Sequence, residues 1–145
     1  DAFLRKPELE KAWVTELEEA EGTLNFLNAM QNYPELKGVQ TNLYKCFLPQ
    51  AWRWGSAQGV SGFLHPEGIY DDPKGGEFRA KVYPRLKAHF QYLNELNLIA
   101  DVDHHAKFSS NVYTALPSDE IRIFNISNLY QPNTVDRTCR DSTGP

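Results

Sequence analysis

Gly59-Val60-Ser61-Gly62-Phe63-Leu64-His65-Pro66 is the stretch from which the rest of the chain is read. Only Gly and Ser separate its apolar residues. That composition suits a strand covered on both faces and closely approached by neighbouring backbone, so 59–64 is predicted to be a central parallel strand. His65 to Gly76 follows with two prolines, three glycines and three acidic residues, too much turn chemistry for a regular element. Ligands of open α/β sheets gather at the carboxyl ends of strands, so this loop is a functional candidate on architecture alone.

Upstream, Thr41 or Asn42 can cap a helix running to Gly55 with Leu43, Phe47, Ala51 and Trp54 on one face, and Pro49 is expected to kink it. Earlier still, Leu9, Trp13, Leu17, Ala20, Leu24 and Leu27 recur at intervals of three and four among glutamates, the pattern of an amphipathic helix. Pro7 suits its first turn, Gly22 is a point where it can divide, and Tyr33-Pro34 with Gly38 ends it. Such a helix is expected to pack on another body, and its acidic outer face argues against contact with DNA phosphates.

Downstream, Asp72 can cap a helix with Pro73 in its first position, and Phe78, Val82, Leu86 and Phe90 give that helix its buried stripe, with a kink at Pro84. Strands are predicted at Tyr92 to Leu98, Phe108 to Leu116 and Ile121 to Ile126, the first two forming an antiparallel pair across a long loop. From Asn128 the polar sequence reads as an extended tail. The organisation is therefore a helical arm or insertion over 1–38, an α/β body over 39–127 and a tail over 128–145. The body reads as the back half of an α/β domain, since no strand, glycine-rich turn and helix of the kind that opens a doubly wound sheet precedes it.

The 145 residues, 41% hydrophobic and 12% aromatic, are enough for one hydrophobic core. No apolar run approaches the roughly 20 residues of a membrane-spanning helix, so no membrane partner is expected. A net charge of -4 argues against a chain that coats nucleic acid by itself. The basic segment Lys74, Arg79, Lys81, Arg85 and Lys87 reads as a solvated helix face. Cys46 and Cys139 have no metal-ligand spacing and suggest no disulfide framework, which fits the cytoplasm. The chain begins at Asp1 without a methionine and is expected to be a piece of a longer polypeptide.

Asp101, Asp103, His104 and His105, with Lys107 beside them, are the densest group of metal-ligand types and raise a metal-dependent hydrolase as an alternative. Consecutive loop residues rarely converge on one ion, however, and a polar hairpin loop explains them, so no metal site is assigned. Asp71, Asp72 and Glu67 can supply an acid pair, but turn formation and capping account for them. Neither Ser61 nor Ser109 sits in a nucleophile elbow. The aromatic residues Tyr44, Phe47, Trp52 and Trp54 are read as core. Phe108 opens a strand beside a loop, where its ring either stacks on a base turned out of a duplex or simply faces inward.

Three segments together, Asn42-Leu43-Tyr44-Lys45-Cys46-Phe47-Leu48, Gly59 to Pro66, and Lys107-Phe108-Ser109-Ser110-Asn111-Val112-Tyr113, resemble N6-adenine DNA methyltransferases, above all those in large bacterial restriction-modification polypeptides. The likeness covers roughly Asn42 to Leu116, with His65-Pro66-Glu67-Gly68-Ile69-Tyr70-Asp71-Asp72-Pro73 distinctive of the subfamily. It implies a partial Rossmann-like class I methyltransferase fold, the C-terminal half of the sheet occupying 39–127, and methyl transfer from S-adenosylmethionine to an extruded adenine. The family's cofactor motif and its Asn-Pro-Pro-aromatic motif are absent from the sequence. No catalytic or cofactor-binding residue is therefore carried over, and the chain alone is expected to be inactive and not to bind S-adenosylmethionine. The carry-over places Pro66, Ile99 and Phe108 at the target-base pocket and Lys107 on a DNA phosphate. The expected partners are the remainder of the methyltransferase domain and, through it, DNA. An accessory protein-interaction domain is the alternative from another class.

Overall fold

A computed structural model describes residues 6–141. Residues 1–5 of the expected arm and 142–145 of the expected tail lie outside the described residues. In chain order the elements are α1 (Pro7–Asn28), a 3-10 turn (Pro34–Leu36), α2 (Leu43–Trp54), β1 (Val60–Pro66), α3 (Gly68–Asp71), α4 (Gly76–Val82), β2 (Leu86–Leu93), a second 3-10 turn (Asn94–Leu96), β3 (Lys107–Thr114), β4 (Phe124–Leu129) and α5 (Asn133–Asp141). The chain is α/β, with one four-stranded mixed sheet in the order β1-β3-β2-β4.

Strand β3 is antiparallel to both neighbours, and β4 is parallel to β2. The segment that opened the reading is therefore not a central strand with a parallel neighbour. Among the described residues β1 lies at an edge, paired only with β3 through Phe63 opposite Asn111 and Pro66 opposite Phe108. β1 and β2 do run the same way, and β3 turns back after β2 to enter the sheet between them. The antiparallel pair follows from the long 94–106 connection, as the sequence predicts.

Three further regions fold differently from the sequence reading. The expected loop over 65–76 starts inside β1 and holds the short helix α3. The helix expected through Phe90 ends at Val82, and β2 replaces its second half and takes over the strand expected at Tyr92 to Leu98. Pro84 has no N–H to continue the helix, which stops at Val82 with Tyr83, itself still in helical geometry, as its cap. The four-residue spacing of Leu86 and Phe90 imitates a helical stripe, but a register shift between Leu86 and Ala88 puts the two on opposite faces of the sheet. The expected extended tail instead holds the end of β4 and helix α5, whose Val135 packs against the cluster of Tyr92, Phe108 and Leu129. That contact gives a short polar helix an apolar anchor.

α1 runs unbroken past Gly22, and α2 continues through a buried Pro49, its start capped by the Asn42 side chain accepting from Tyr44 N. The face of α2 read as core is the exposed one: Leu43, Phe47 and Trp54 stand in solvent, and the helix buries Cys46, Leu48, Pro49 and Trp52. Asp72 caps no helix. Its Oδ1 accepts from Lys74 N at 2.9 Å and its Oδ2 from Lys45 Nζ at 3.2 Å, so it closes a turn and ties that turn to α2.

Strand alternation divides the molecule into two layers. On one face Tyr113 and Leu86 meet Cys46, Leu48 and Trp52 of α2, Ile69 of α3 and Phe78 and Val82 of α4, which form the main core. The opposite face carries the smaller cluster of Tyr92, Phe108 and Leu129, with Phe90, Ile99, Ile126 and Val135 around it. No helix among the described residues is long and apolar enough to cross a membrane.

Candidate functional site

On the second face a cavity of about 310 Å³ opens beside the carboxyl ends of β1 and β2. Leu64 comes from β1, Tyr92 from β2, Phe108 and Ser110 from β3, Leu98 and Ile99 from the connection that follows β2, and Pro132 from the start of α5. The register explains this convergence, since Leu64 lies opposite Ser110 and Tyr92 opposite Phe108. The Phe108 and Tyr92 rings stack with centroids 5.5 Å apart and planes within 17°. Ser110 and the Tyr92 hydroxyl are the only polar side-chain groups in an otherwise apolar lining, so the cavity suits a flat, weakly polar group and offers no acid-base pair.

Of the residues carried over from the sequence, Ile99 and Phe108 come together here. Pro66 is Phe108's partner across the β1 and β3 pairing, but it is exposed and does not line the cavity. Lys107 is exposed at the start of β3, opposite Leu93. Sequence reasoning missed the residue that fixes this wall. Asn94 is fully buried; its Nδ2 donates to the Ile99, Val102 and Asp103 carbonyls at 2.9, 2.8 and 3.3 Å, and its Oδ1 accepts from Ile99 N at 3.0 Å. One amide side chain thus folds the connection that presents Ile99. The same connection contains the expected metal-ligand types, but Asp103 Oδ1 accepts from His105 N at 2.7 Å and so builds a turn. Nowhere among the described residues do three His, Cys, Asp or Glu side chains gather as they must to hold an ion.

The helical face holds a second constellation that the sequence did not disclose. His65 Nδ1 donates to the Pro66 carbonyl at 2.8 Å, which leaves Nε2 to accept from the Tyr113 hydroxyl at 2.9 Å and Asn111 Nδ2 at 3.0 Å. Asn111 Oδ1 in turn accepts from the Tyr70 hydroxyl at 2.7 Å, and Tyr44 stacks on the His65 ring at 5.5 Å. Burial pushes the His65 imidazole down, and the Pro66 bond and the Glu67 charge do not undo it. Burial together with the carboxylates of Asp71, Asp72 and Glu67 pushes the Tyr44 hydroxyl up to about 12.

Beside this network Glu67 Oε2 accepts from Gln91 Nε2 at 2.8 Å, while Glu67 Oε1 and Asn125 Oδ1 lie 3.3 and 2.6 Å from the two ring nitrogens of His89. Both of those oxygens accept, so both ring nitrogens must donate and His89 is held as imidazolium. Burial alone would lower the His89 value and raise that of Glu67. The hydrogen bonds to Glu67 and Asn125 outweigh it for His89, and those from His89, Ser109 and Gln91 outweigh it for Glu67, so the two shifts reinforce the ion pair. Glu67, Tyr70, Tyr83, His89, Gln91 and Asn125 border a second cavity of about 380 Å³. Because these groups satisfy one another, the constellation locks α3, β2 and β4 together. No protein-family model, curated protein or solved structure matches this chain.

Proposed function

We propose that the chain is part of the catalytic domain of a restriction-modification DNA methyltransferase acting on adenine N6, and that it supplies the target-base side of the active site. The observation that carries this reading is the aromatic-floored cavity where Ile99 and Phe108 meet, outside the carboxyl ends of two strands that run the same way. That is where an α/β sheet receives its ligand, and a base turned out of a duplex needs a slot lined by apolar and aromatic side chains. The order of a strand ending at Pro66 and an antiparallel strand pair also supports the reading, with two short helices, α3 and α4, where the resemblance implies a long one. Exposed Val60 and Leu64 on β1 and exposed Leu43, Phe47 and Trp54 on α2 add support, because the remainder of a larger sheet and its helices would cover such apolar surface.

S-adenosylmethionine would supply the methyl group. The cavity carries no carboxylate for the ribose or the amino-acid end of such a cofactor, so the cofactor site is proposed in the remainder of the domain. What these residues do is bind and orient the base: Phe108, backed by Tyr92, offers a ring face, Ile99 walls the slot, and Lys107, exposed next to Phe108 at the start of β3, attracts phosphate. The test compares this chain with a longer polypeptide that contains it, following labelled methyl transfer to adenine in duplex DNA. The longer polypeptide should methylate, and the isolated chain should neither methylate nor bind S-adenosylmethionine. Tight cofactor binding by the isolated chain, or no transfer by the longer one, would overturn the proposal. An interaction domain is the second reading, favoured by α1, in which no residue is buried.

A further inference from the structure

α1 is a helix of 22 residues with none buried. Trp13, Leu17, Ala20, Leu24 and Leu27 follow one another at spacings of four, three, four and three, the repeat that keeps a seam facing a second helix along its length. Trp13, Leu17 and Leu24 are exposed, and only Leu27, at the end nearest the body, is packed against the core. A seam of this length left in water costs the helix the burial that normally stabilises such an element.

Charge decides what covers it. Glu8, Glu10, Glu16, Glu18, Glu19 and Glu21 stand on the helix against Lys11 alone. With Leu17 and Leu24 in one line of the seam and Trp13, Ala20 and Leu27 in the other, Glu16 and Glu21 flank it. In a parallel pair of two copies Glu16 would face Glu21 of the other helix, and either orientation would bring two strongly acidic helices together. We infer that α1 is a docking helix for an amphipathic helix of a partner protein, with an apolar seam of the same spacing and Lys or Arg at the flanking positions. This interaction does not rest on the methyl-transfer reading.

The experiment titrates the whole chain with two synthetic helices roughly four heptads long, both with Leu along the seam, one with Lys and the other with Glu at the flanking positions. The Lys peptide should bind. Raising salt, or the Leu17→Asp change, should weaken it by at least about tenfold, and the Glu peptide should not bind. Leu17 is exposed, so Leu17→Asp should leave the thermal unfolding of the body unchanged, which is measured alongside. Equal binding of both peptides would show apolar adhesion without charge recognition and overturn the inference, as would binding of neither. A dimer in sedimentation that Leu17→Asp dissociates would make a second copy the occupant and overturn it too.

Discussion

His65 and His89 lie on the same face of the sheet with their imidazoles in opposite charge states. A carbonyl that can only accept holds the His65 proton on Nδ1 and leaves the ring neutral, whereas Glu67 and Asn125 put an acceptor at each nitrogen of His89.

The two rings should therefore titrate on opposite sides of the ordinary value of 6.5. His65, lowered in the fold, contributes stability that is complete above 6.5 and lost as pH falls through its folded value. His89, raised in the fold, contributes stability that is complete below 6.5 and lost as pH rises through its folded value. Glu67, lowered in the fold from 4.5, adds a contribution lost only in acid. Stability should thus peak near 6.5 and fall on either side, through His65 as pH drops and through His89 as pH rises. Long-range nitrogen-proton NMR titration resolves the two rings, and a shared midpoint near 6.5 would contradict the network.

Asn94→Ala removes donors from three carbonyls of the connection bearing Ile99 and should cost about 2–4 kcal/mol. Urea unfolding gives that cost. Amide exchange over 94–106 should quicken more than exchange in β3, and an unchanged rate at Ile99 would show that Asn94 does not hold the wall.

Two glycines should respond with opposite signs. A methyl at Gly22 meets nothing within 4 Å, so Gly22→Ala should stabilise α1 by about 0.5–1 kcal/mol. At Gly55 the added carbon falls 2.5 Å from Ala115 Cβ and 3.1 Å from Ala51 O, so Gly55→Ala should destabilise the fold by about 1–3 kcal/mol. Helicity by circular dichroism reads the first change and thermal melts read the second. A neutral Gly55→Ala would mean that α2 does not end tightly against the Ala115 segment.

Lys107 is exposed at the start of β3, next to Phe108 in sequence. In the longer polypeptide Lys107→Ala should weaken DNA binding equally across sequences and reduce the salt slope by about one. A change confined to one recognition sequence would point to a base contact in place of a phosphate contact.

The legible parts of the fold were those with one dominant period. The apolar positions of α1 and α2 fix a helix, and Phe108 to Thr114 alternates as β3 does. β2 reads as helix because the spacing of Leu86 and Phe90 imitates one and the register shift that separates them onto two faces has no sequence signal, and α5 reads as tail because its order depends on one apolar residue reaching a distant cluster. Strand order depends on which chain returns between which, and β1 taken alone carries no sign that β3 enters beside it. The cavity was half legible. Phe108 and Ile99 were named, whereas Leu64, Tyr92 and Ser110 join them only through cross-strand register. The His65 and His89 networks were hidden for the same reason. Ser109, Asn111 and Tyr113 do alternate in sequence, and that polar run on one strand face was the signal available.

The central claim is that Phe108 forms the base pocket and not the cofactor site. In the longer polypeptide Phe108→Leu, which keeps an apolar side chain but removes the ring, and Phe108→Ala should each lower kcat/KM for methylation of duplex DNA. Loss of one stacked base contact corresponds to about 10- to 100-fold. The Kd for S-adenosylmethionine, measured on the same preparations, should stay within about twofold. Equal loss of cofactor binding and methylation, or full activity in both variants, would contradict the assignment.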